Sequence, residues 1–335
     1  MLLHPAYKLT IGDKIVDTTD EPQASTAVSL TVALDMDTPA DSFTLLLGQV
    51  GGFQPQRDDD AKIELGFSDD PSSSSGQAMT QVMVGKVLSA QSGLTVRRVI
   101  GHSPAQKLLD SFTSQTYEAK TAGQIVSDLA QQAGLDVARA DDGITFPAYV
   151  VNGRNSFYHH MRQLADLCGF DLYINAAGEL VFALFQSGAA IHIFDYAKQI
   201  VELEVLQTPP AAGEVQAWGE GPGGTDDAWA WLTKDFAGLK GTTGSGSPVQ
   251  LLERPALRTA VATQAAADAA QTYLTRQTLR GTLFTTGQPA VKLGDAIQLR
   301  NLPDASLNDN FQVRSVTHRI DKTGGFTTRI GFRRI

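Results

Sequence analysis

The feature that most constrains this 335-residue chain is a change of hydrophobic period, made twice. Over residues 1–112 apolar side chains recur at every second position: Tyr7, Leu9 and Ile11, then Leu30, Val32, Leu34 and Met36, then Phe43, Leu45 and Leu47, then Ile63, Leu65 and Phe67. Val82 and Val84, Val87-Leu88 and Leu94-Thr95-Val96 extend the series. Period two puts alternate side chains on one face and predicts half-buried strands. Gly12-Asp13 and the polar run 69–76 punctuate them as turn and loop. Short strands divided by turn signals predict a small barrel or sandwich.

Over residues 113–187 the period lengthens to that of a helix. Thr121-Ala122-Gly123-Gln124 has the form of a capping box. Ile125, Val126, Leu129, Ala130 and Ala133 then follow at helical spacing, and Gly134 ends the helix. A second helix is predicted from an N-cap at Ser156, burying Phe157, Met161, Leu164 and Cys168 and stopping at Gly169. A hairpin follows, with Phe170, Leu172 and Ile174 leading in, Asn175–Gly178 turning, and Leu180, Phe182 and Leu184 leading out.

From residue 188 alternation returns, at Ile191 and Ile193 and through 200–205. Residues 207–256 are poorly patterned and rich in Gly, Pro, Ser and Thr, with 241–248 as the clearest loop. The alanine-rich stretch Thr259–Thr275 predicts a helix. Phe284 opens a last strand set: Leu293-Gly294-Asp295 turns into Ile297 and Leu299, Phe311, Val313 and Val316 follow, and Phe326, Thr328 and Ile330 close the chain. The predicted class is α+β, mainly β: a first β-barrel domain at 1–112, a small α/β insert at 113–187, and a second β-barrel domain at 188–335 that carries the loop-rich region 207–256. No short tandem repeat is visible, although two similar β parts flank the insert.

Composition is that of a globular chain, 42% hydrophobic and 19% charged. No apolar run is long enough for a membrane-spanning helix, so no membrane insertion is expected. Met1–Pro5 lacks the basic stretch and apolar core of a signal peptide, which predicts folding in the cytoplasm. A net charge of −9 argues against specific nucleic-acid binding, which needs clustered Lys and Arg. The charge is uneven: residues 1–112 hold 8 basic and 14 acidic side chains, and residues 300–335 hold 7 and 3. Such asymmetry fits two different contact surfaces or plain solvated surface. The single cysteine, Cys168, excludes an internal disulfide and reads as a small buried hydrophobe.

The residues that could carry chemistry do not assemble. His159-His160 are adjacent and point about 100° apart on a helix, which does not suit one metal. His318 sits in strand pattern between Val316 and Ile320. Gly244–Ser247 lacks the strand and helix that a nucleophile elbow requires, and Gly221–Gly224 lacks the lysine of a phosphate loop. Asp58-Asp59-Asp60 and Asp69-Asp70 read as solvated loop charge rather than a glycosidase pair. Trp218, Trp229 and Trp231 suit packing or a subunit interface better than a ligand patch. The expectation is no metal, no cofactor and no enzymatic activity.

Three stretches resemble one family. Ala290–Ile297, Phe311–His318 and Gly325–Thr328, preceded by the helix Ala265–Leu274, are similar to the closing part of phage late control protein D, of the hub part of VgrG spike proteins and of myophage baseplate hubs. Thr121–Ala133, Asn155–Leu164 with Gly169, and Gly178–Phe182 resemble that family's α/β insert. The β-rich start is similar in pattern alone. The resemblance implies two tube-like barrel domains related by pseudosymmetry, so that three chains present six domains in a ring. It implies a homotrimer joining a threefold spike to a sixfold tail tube at a baseplate centre, with spike, tube and other baseplate proteins as partners, assembled in the cytoplasm into a virion tail or injection particle. Because the sequence ends at Ile335, the spike and any cell-wall enzyme are expected as separate polypeptides. DNA or cargo is expected to pass through the channel, past an acidic lumen. Arg329, Arg333 and Arg334 are the candidate partner contacts. The alternatives are a distal-tail or tube-terminator ring, expected as a hexamer, a peptidoglycan-acting tail enzyme, and a carbohydrate-binding module.

Overall fold

The computed structural model describes residues 4–19, 27–48, 53–68, 78–186, 190–219 and 239–335. The polar run 69–76, Gly221–Gly224, Trp229 and Trp231 lie outside the described residues.

The first stretch forms β1 (Pro5–Ile11), β2 (Lys14–Asp17), β3 (Ala27–Asp35), β4 (Ser42–Gly48), β5 (Asp60–Phe67), β6 (Ala78–Ser92) and β7 (Val96–His102). The middle of the chain forms α1 (Gln106–Asp110), β8 (Gln115–Thr121), α2 (Ala122–Gln132), β9 (Val137–Ala140), β10 (Thr145–Val151), α3 (Phe157–Cys168), β11 (Asp171–Ile174) and β12 (Leu180–Ala183). The rest forms β13 (Ile191–Asp195), β14 (Ile200–Gln207), β15 (Glu214–Trp218), β16 (Gly241–Gly244), β17 (Val249–Glu253), α4 (Ala260–Arg276), β18 (Leu279–Thr286), β19 (Ala296–Arg300), β20 (Asn310–Asp321) and β21 (Gly325–Arg334).

The two predicted barrels are not there. Thirteen strands join into one open sheet in the order β14-β18-β21-β20-β3-β4-β7-β6-β5-β1-β2, with β19 also on β20 and β13 on β19. The join is β20 against β3, in register from Ser315 opposite Asp35 to Asp321 opposite Ser29. Alternation fixes which face of a strand is buried but not which strand lies beside it. The edges that were expected to close each half on itself are used to fuse the halves.

The local signals of the middle segment hold. Thr121 and Gln124 cap α2 reciprocally, with the hydroxyl accepting from the Gln124 amide at 3.2 Å and the Gln side chain accepting from the Thr121 amide at 3.2 Å. Ser156 occupies the N-cap of α3 without a side-chain cap hydrogen bond, and Gly169 ends that helix in the left-handed region at φ 69°. Residues 207–256, unpatterned in sequence, supply a three-stranded sheet, β16-β15-β17, in which Gly241–Gly244 is strand rather than loop.

Two hydrophobic cores result. One lies under the large sheet and draws on both ends of the chain, including Leu9, Leu30, Phe43, Phe194, Val316 and Ile330. The other combines α2, α3 and the β11–β12 hairpin with Val215, Ala217 and the alanine face of α4. Small side chains at Ala262, Ala266 and Ala267 let α4 pack closely here.

Candidate assembly surfaces

The large sheet contains one motif twice. In the first half the order is β3-β4-β7-β6-β5; in the second it is β14-β18-β21-β20-β19, and every neighbouring pair in both is antiparallel. The match extends to irregularities. A register shift falls between Ala27 and Ser29 in β3 and between Ile200 and Glu202 in β14. Another falls between Val87 and Ser89 in β6 and between Val313 and Ser315 in β20. Bulges placed alike twice are built features of a motif.

The turn into β5 and β19 is also repeated. Asp59 Oδ2 accepts from the Gln56 amide at 2.8 Å, and Asp295 Oδ2 accepts from the Lys292 amide at 2.9 Å. The carbonyls of Asp59 and Asp295 accept from Val87 and Val313, each at 2.9 Å. The preceding residue has positive φ in both, 69° at Asp58 and 82° at Gly294. A third likeness is a swapped pair. Phe43 opposes Gly101 between β4 and β7, and Gly281 opposes Phe332 between β18 and β21. Each ring lies where a glycine Cβ would go, within 2.2 Å and 2.5 Å of it, so the ring fills the space the missing side chain leaves.

With this alignment the halves differ in burial in one place. Ala27, Leu30, Val32 and Leu34 of β3 are buried under the neighbouring β20. Their counterparts in β14 are Ile200, Leu203 and Val205, half-buried, and Gln207, exposed. The phase is the same and the cover is missing, because β14 pairs with β18 alone. The complementary deficit is on the outer half of β6. Leu88, Ala90 and Ser92 are exposed, whereas Arg314, Val316 and His318 at the matching positions of β20 are buried. Thus one half of the β3–β20 contact is repeated, uncovered, at each end of the motif pair. Unpaired edges of this kind invite another chain.

The face of these strands turned from the core is polar. It carries Thr31, Thr44, Gln91, Thr282, Ser315 and Thr317, with Glu202 and Glu204 on β14, Arg98 on β7, Arg319 on β20 and Arg329 on β21.

The three candidate arginines fall in different places. Arg329 is exposed on this face, 5.7 Å over the Phe284 ring, and its counterpart in the first half is Arg98. Arg334 is exposed and reaches Thr278 Oγ1 at 3.5 Å. Arg333 is buried: its Nε donates to Gln312 Oε1 at 2.8 Å and its Nη2 to Asp171 Oδ1 at 3.2 Å. Asp171, at the start of β11, also accepts from Arg314 and Gln312, and Arg314 donates on to Asp37. This network ties the middle segment to the sheet. Burial first, then Arg314 beside it, pushes the Arg333 guanidinium down to about 10. No sequence signal marked Asp171 as the partner, since it sits within an ordinary apolar strand pattern.

Residues suspected of chemistry are dispersed. His160 is buried, with Nε2 3.2 Å from the Asn152 carbonyl, and His159 turns to Gln163. His318 is fully buried, with Nδ1 3.0 Å from Thr328 Oγ1, and burial pushes it down to about 3. Among the described residues no three His, Cys, Asp or Glu side chains gather as a metal-ligand set. No helix among them is long and apolar enough to cross a membrane.

A mainly β chain with a doubled antiparallel motif, an α/β insert and open sheet edges has a fold shared with solved phage tail proteins. Solved structures bear this out: the prophage MuSo2 43 kDa tail protein from Shewanella oneidensis matches with a TM-score of 0.72 at 12% identity, covering 98% of each chain. A tail protein from Neisseria meningitidis gives 0.71 at 13% identity, over 98% of this chain and 96% of that one. The Escherichia coli c3393 protein, a type VI secretion component described as structurally similar to the phage T4 tail proteins gp27 and gp5, gives 0.55 at 12% identity over 98% and 77%. No family model and no curated protein sequence matches the chain.

Proposed function

We propose that this chain is the structural hub of a contractile-tail or injection-machine baseplate, acting as a homotrimer that joins a sixfold tail tube to a threefold spike, without catalysis of its own. The observation that carries the reading is the matched pair of deficits, the uncovered β14 edge and the uncovered outer half of β6. Within one chain, β20 covers β3. By the same geometry, β6 of one copy covers β14 of the next. The contact joins two different surfaces head to tail, and contacts of this type generate rings when the rotation closes. Three copies close a ring of six motifs, one for each subunit of a sixfold tube.

The register follows from the alignment. Ser89, Ala90 and Gln91 of one copy lie opposite Thr208, Gln207 and Leu206 of the next, as Ser315, Val316 and Thr317 lie opposite Asp35, Leu34 and Ala33. The Ser- and Thr-rich face then lines the channel, where a neutral polar wall suits passing DNA or cargo. Spike, tube and baseplate proteins would contact the two rims, and cell-wall cleavage would belong to a partner. The test is a disulfide between Gln91→Cys and Leu206→Cys. The doubly substituted chain is expected to give a covalent ladder ending at three copies, and each single variant none. A double variant that stays uncrosslinked under oxidation contradicts the register.

A further inference from the structure

Beside α3, α4, β17 and the ends of β20 and β21 lies a cleft of about 310 Å³. Five arginines line it, Arg162, Arg254, Arg276, Arg314 and Arg333, against two carboxylates, Asp166 and Asp171. Such a surplus is unexpected on a chain of net charge −9. The carboxylates are already in use. Asp171 holds Arg314 and Arg333. Asp166 holds Arg162 Nε at 3.1 Å, and Asp37, reaching in from β3–β4, holds Arg314 and lies 3.8 Å from Arg162.

Arg276, in the last turn of α4, is left over. It is half-buried and makes no hydrogen bond or ion pair among the described residues. Burial holds its guanidinium below the ordinary value, with Arg314 adding to the effect against the pull of Asp171. A charge drawn out of water is costly unless an opposite charge meets it. Phe170, Leu252 and the half-exposed Tyr273 supply apolar wall beside it.

We propose that this cleft binds an acidic peptide segment of a partner polypeptide, one carboxylate seating on Arg276 and an apolar neighbour lying against Phe170 and Tyr273. A planar carboxylate matches the guanidinium fork. The site favours a singly charged group over a phosphate dianion, because Asp166 and Asp171 face the same space. The inference does not depend on how many copies the assembly holds.

The probe is a fluorescent, acetylated Glu-Leu-Glu-Leu-Glu-Leu peptide, titrated onto the full chain by anisotropy, with the Gln-for-Glu peptide as control and inorganic phosphate as competitor. The Glu peptide is expected to bind at least tenfold more tightly than the Gln peptide and to weaken with salt. Arg276→Gln is expected to lose at least tenfold in affinity, the exposed Arg254→Gln to lose less, and Arg154→Gln, on the insert away from the cleft, to lose nothing. Arg276→Glu places a carboxylate among the surplus cations, so it is expected to abolish binding while leaving the melting temperature unchanged or higher. Absence of Glu-peptide binding overturns the proposal, as does equal loss on Arg154→Gln. Displacement by phosphate as effective as by unlabelled peptide makes this a free-anion site and overturns the peptide assignment.

Discussion

The two halves of the sheet have the same strand order, bulges and aspartate turn, yet they have been fixed in place differently. In the second half the bulge residue of the long strand is Arg314, buried and clamped by Asp171 and Asp37. In the first half the same position is Leu88, an exposed apolar side chain. The covered strand β3 returns to β4 after a short loop, whereas the uncovered β14 is followed by a long excursion through β15–β17 and α4 before β18. The hairpin ends differ too. Asp321 ties the β20–β21 turn by accepting from Thr323 and Gly324, while the β6–β7 turn exposes Leu94 completely. The second half is anchored to its own chain at β20 and left open at β14. The first half is anchored at β3 and left open at β6. One motif is therefore covered at opposite ends in its two copies.

Breaking the comparison at its strongest point means putting proline at matching positions. Met36 and Lys322 hydrogen bonds to Arg314 and Val28 carbonyls place the even-numbered amides of β3 toward β20. Val32→Pro removes a central ladder bond and is expected to prevent folding. Its counterpart Val205→Pro lies on an open edge, and is expected to leave a folded chain that no longer assembles, read by circular dichroism and mass. Next in size, Asp171→Leu leaves Arg333 buried without an acid and Arg314 with Asp37 alone, and is expected to cost about 3–5 kcal/mol in denaturant unfolding. Leu88→Ala, at the position matching Arg314, is expected to cost under about 1 kcal/mol in the unassembled chain.

A third contrast concerns pH. Asp41 is almost fully buried and burial raises it to about 7, above its unfolded value, so folding favours its protonated form. Its contribution is present at low pH and is lost as pH rises toward 7. His318 is lowered to about 3, so folding favours its neutral form, and that contribution is lost as pH falls below the ordinary imidazole range. The two oppose each other in mild acid, each with a slope of at most about 1.4 kcal/mol per pH unit. Asp41→Asn is expected to tilt the curve toward rising with pH, and His318→Gln to tilt it toward falling, both measured by denaturant titration between pH 4 and 8. The smallest effect is at the polar face turned from the core. Arg98→Gln and Arg329→Gln, at matching exposed positions, are each expected to change stability by less than about 0.5 kcal/mol, and equally.

Much of the element pattern was legible because it rests on local physics. The capping box at Thr121 and Gln124, the stop at Gly169 and the alternation of β3 and β21 each depend on residues close in sequence. Neighbour choice was not legible. Nothing in Leu30-Thr31-Val32 says that its neighbour is His318–Ile320 rather than a strand of its own half, and so two barrels were expected where one open sheet exists. The duplication left a trace, with Ala27–Val32 resembling Ile200–Val205 and Arg98–His102 resembling Arg329–Arg333. The long excursion after β14 hides it from a search for fixed periods. Among the candidate contacts, Arg333 shares the strand parity of exposed Arg329 and is buried because Asp171 and Gln312 meet it at that end of β21, a contact between distant parts of the chain that no local pattern shows.

The most direct test of the account is the absolute mass of the purified chain by light scattering. Filling the β14 edge with the β6 strand of a neighbour predicts a closed particle of three times 35.8 kDa. A chain that remains monomeric at all concentrations, or one that forms six-copy rings, contradicts it.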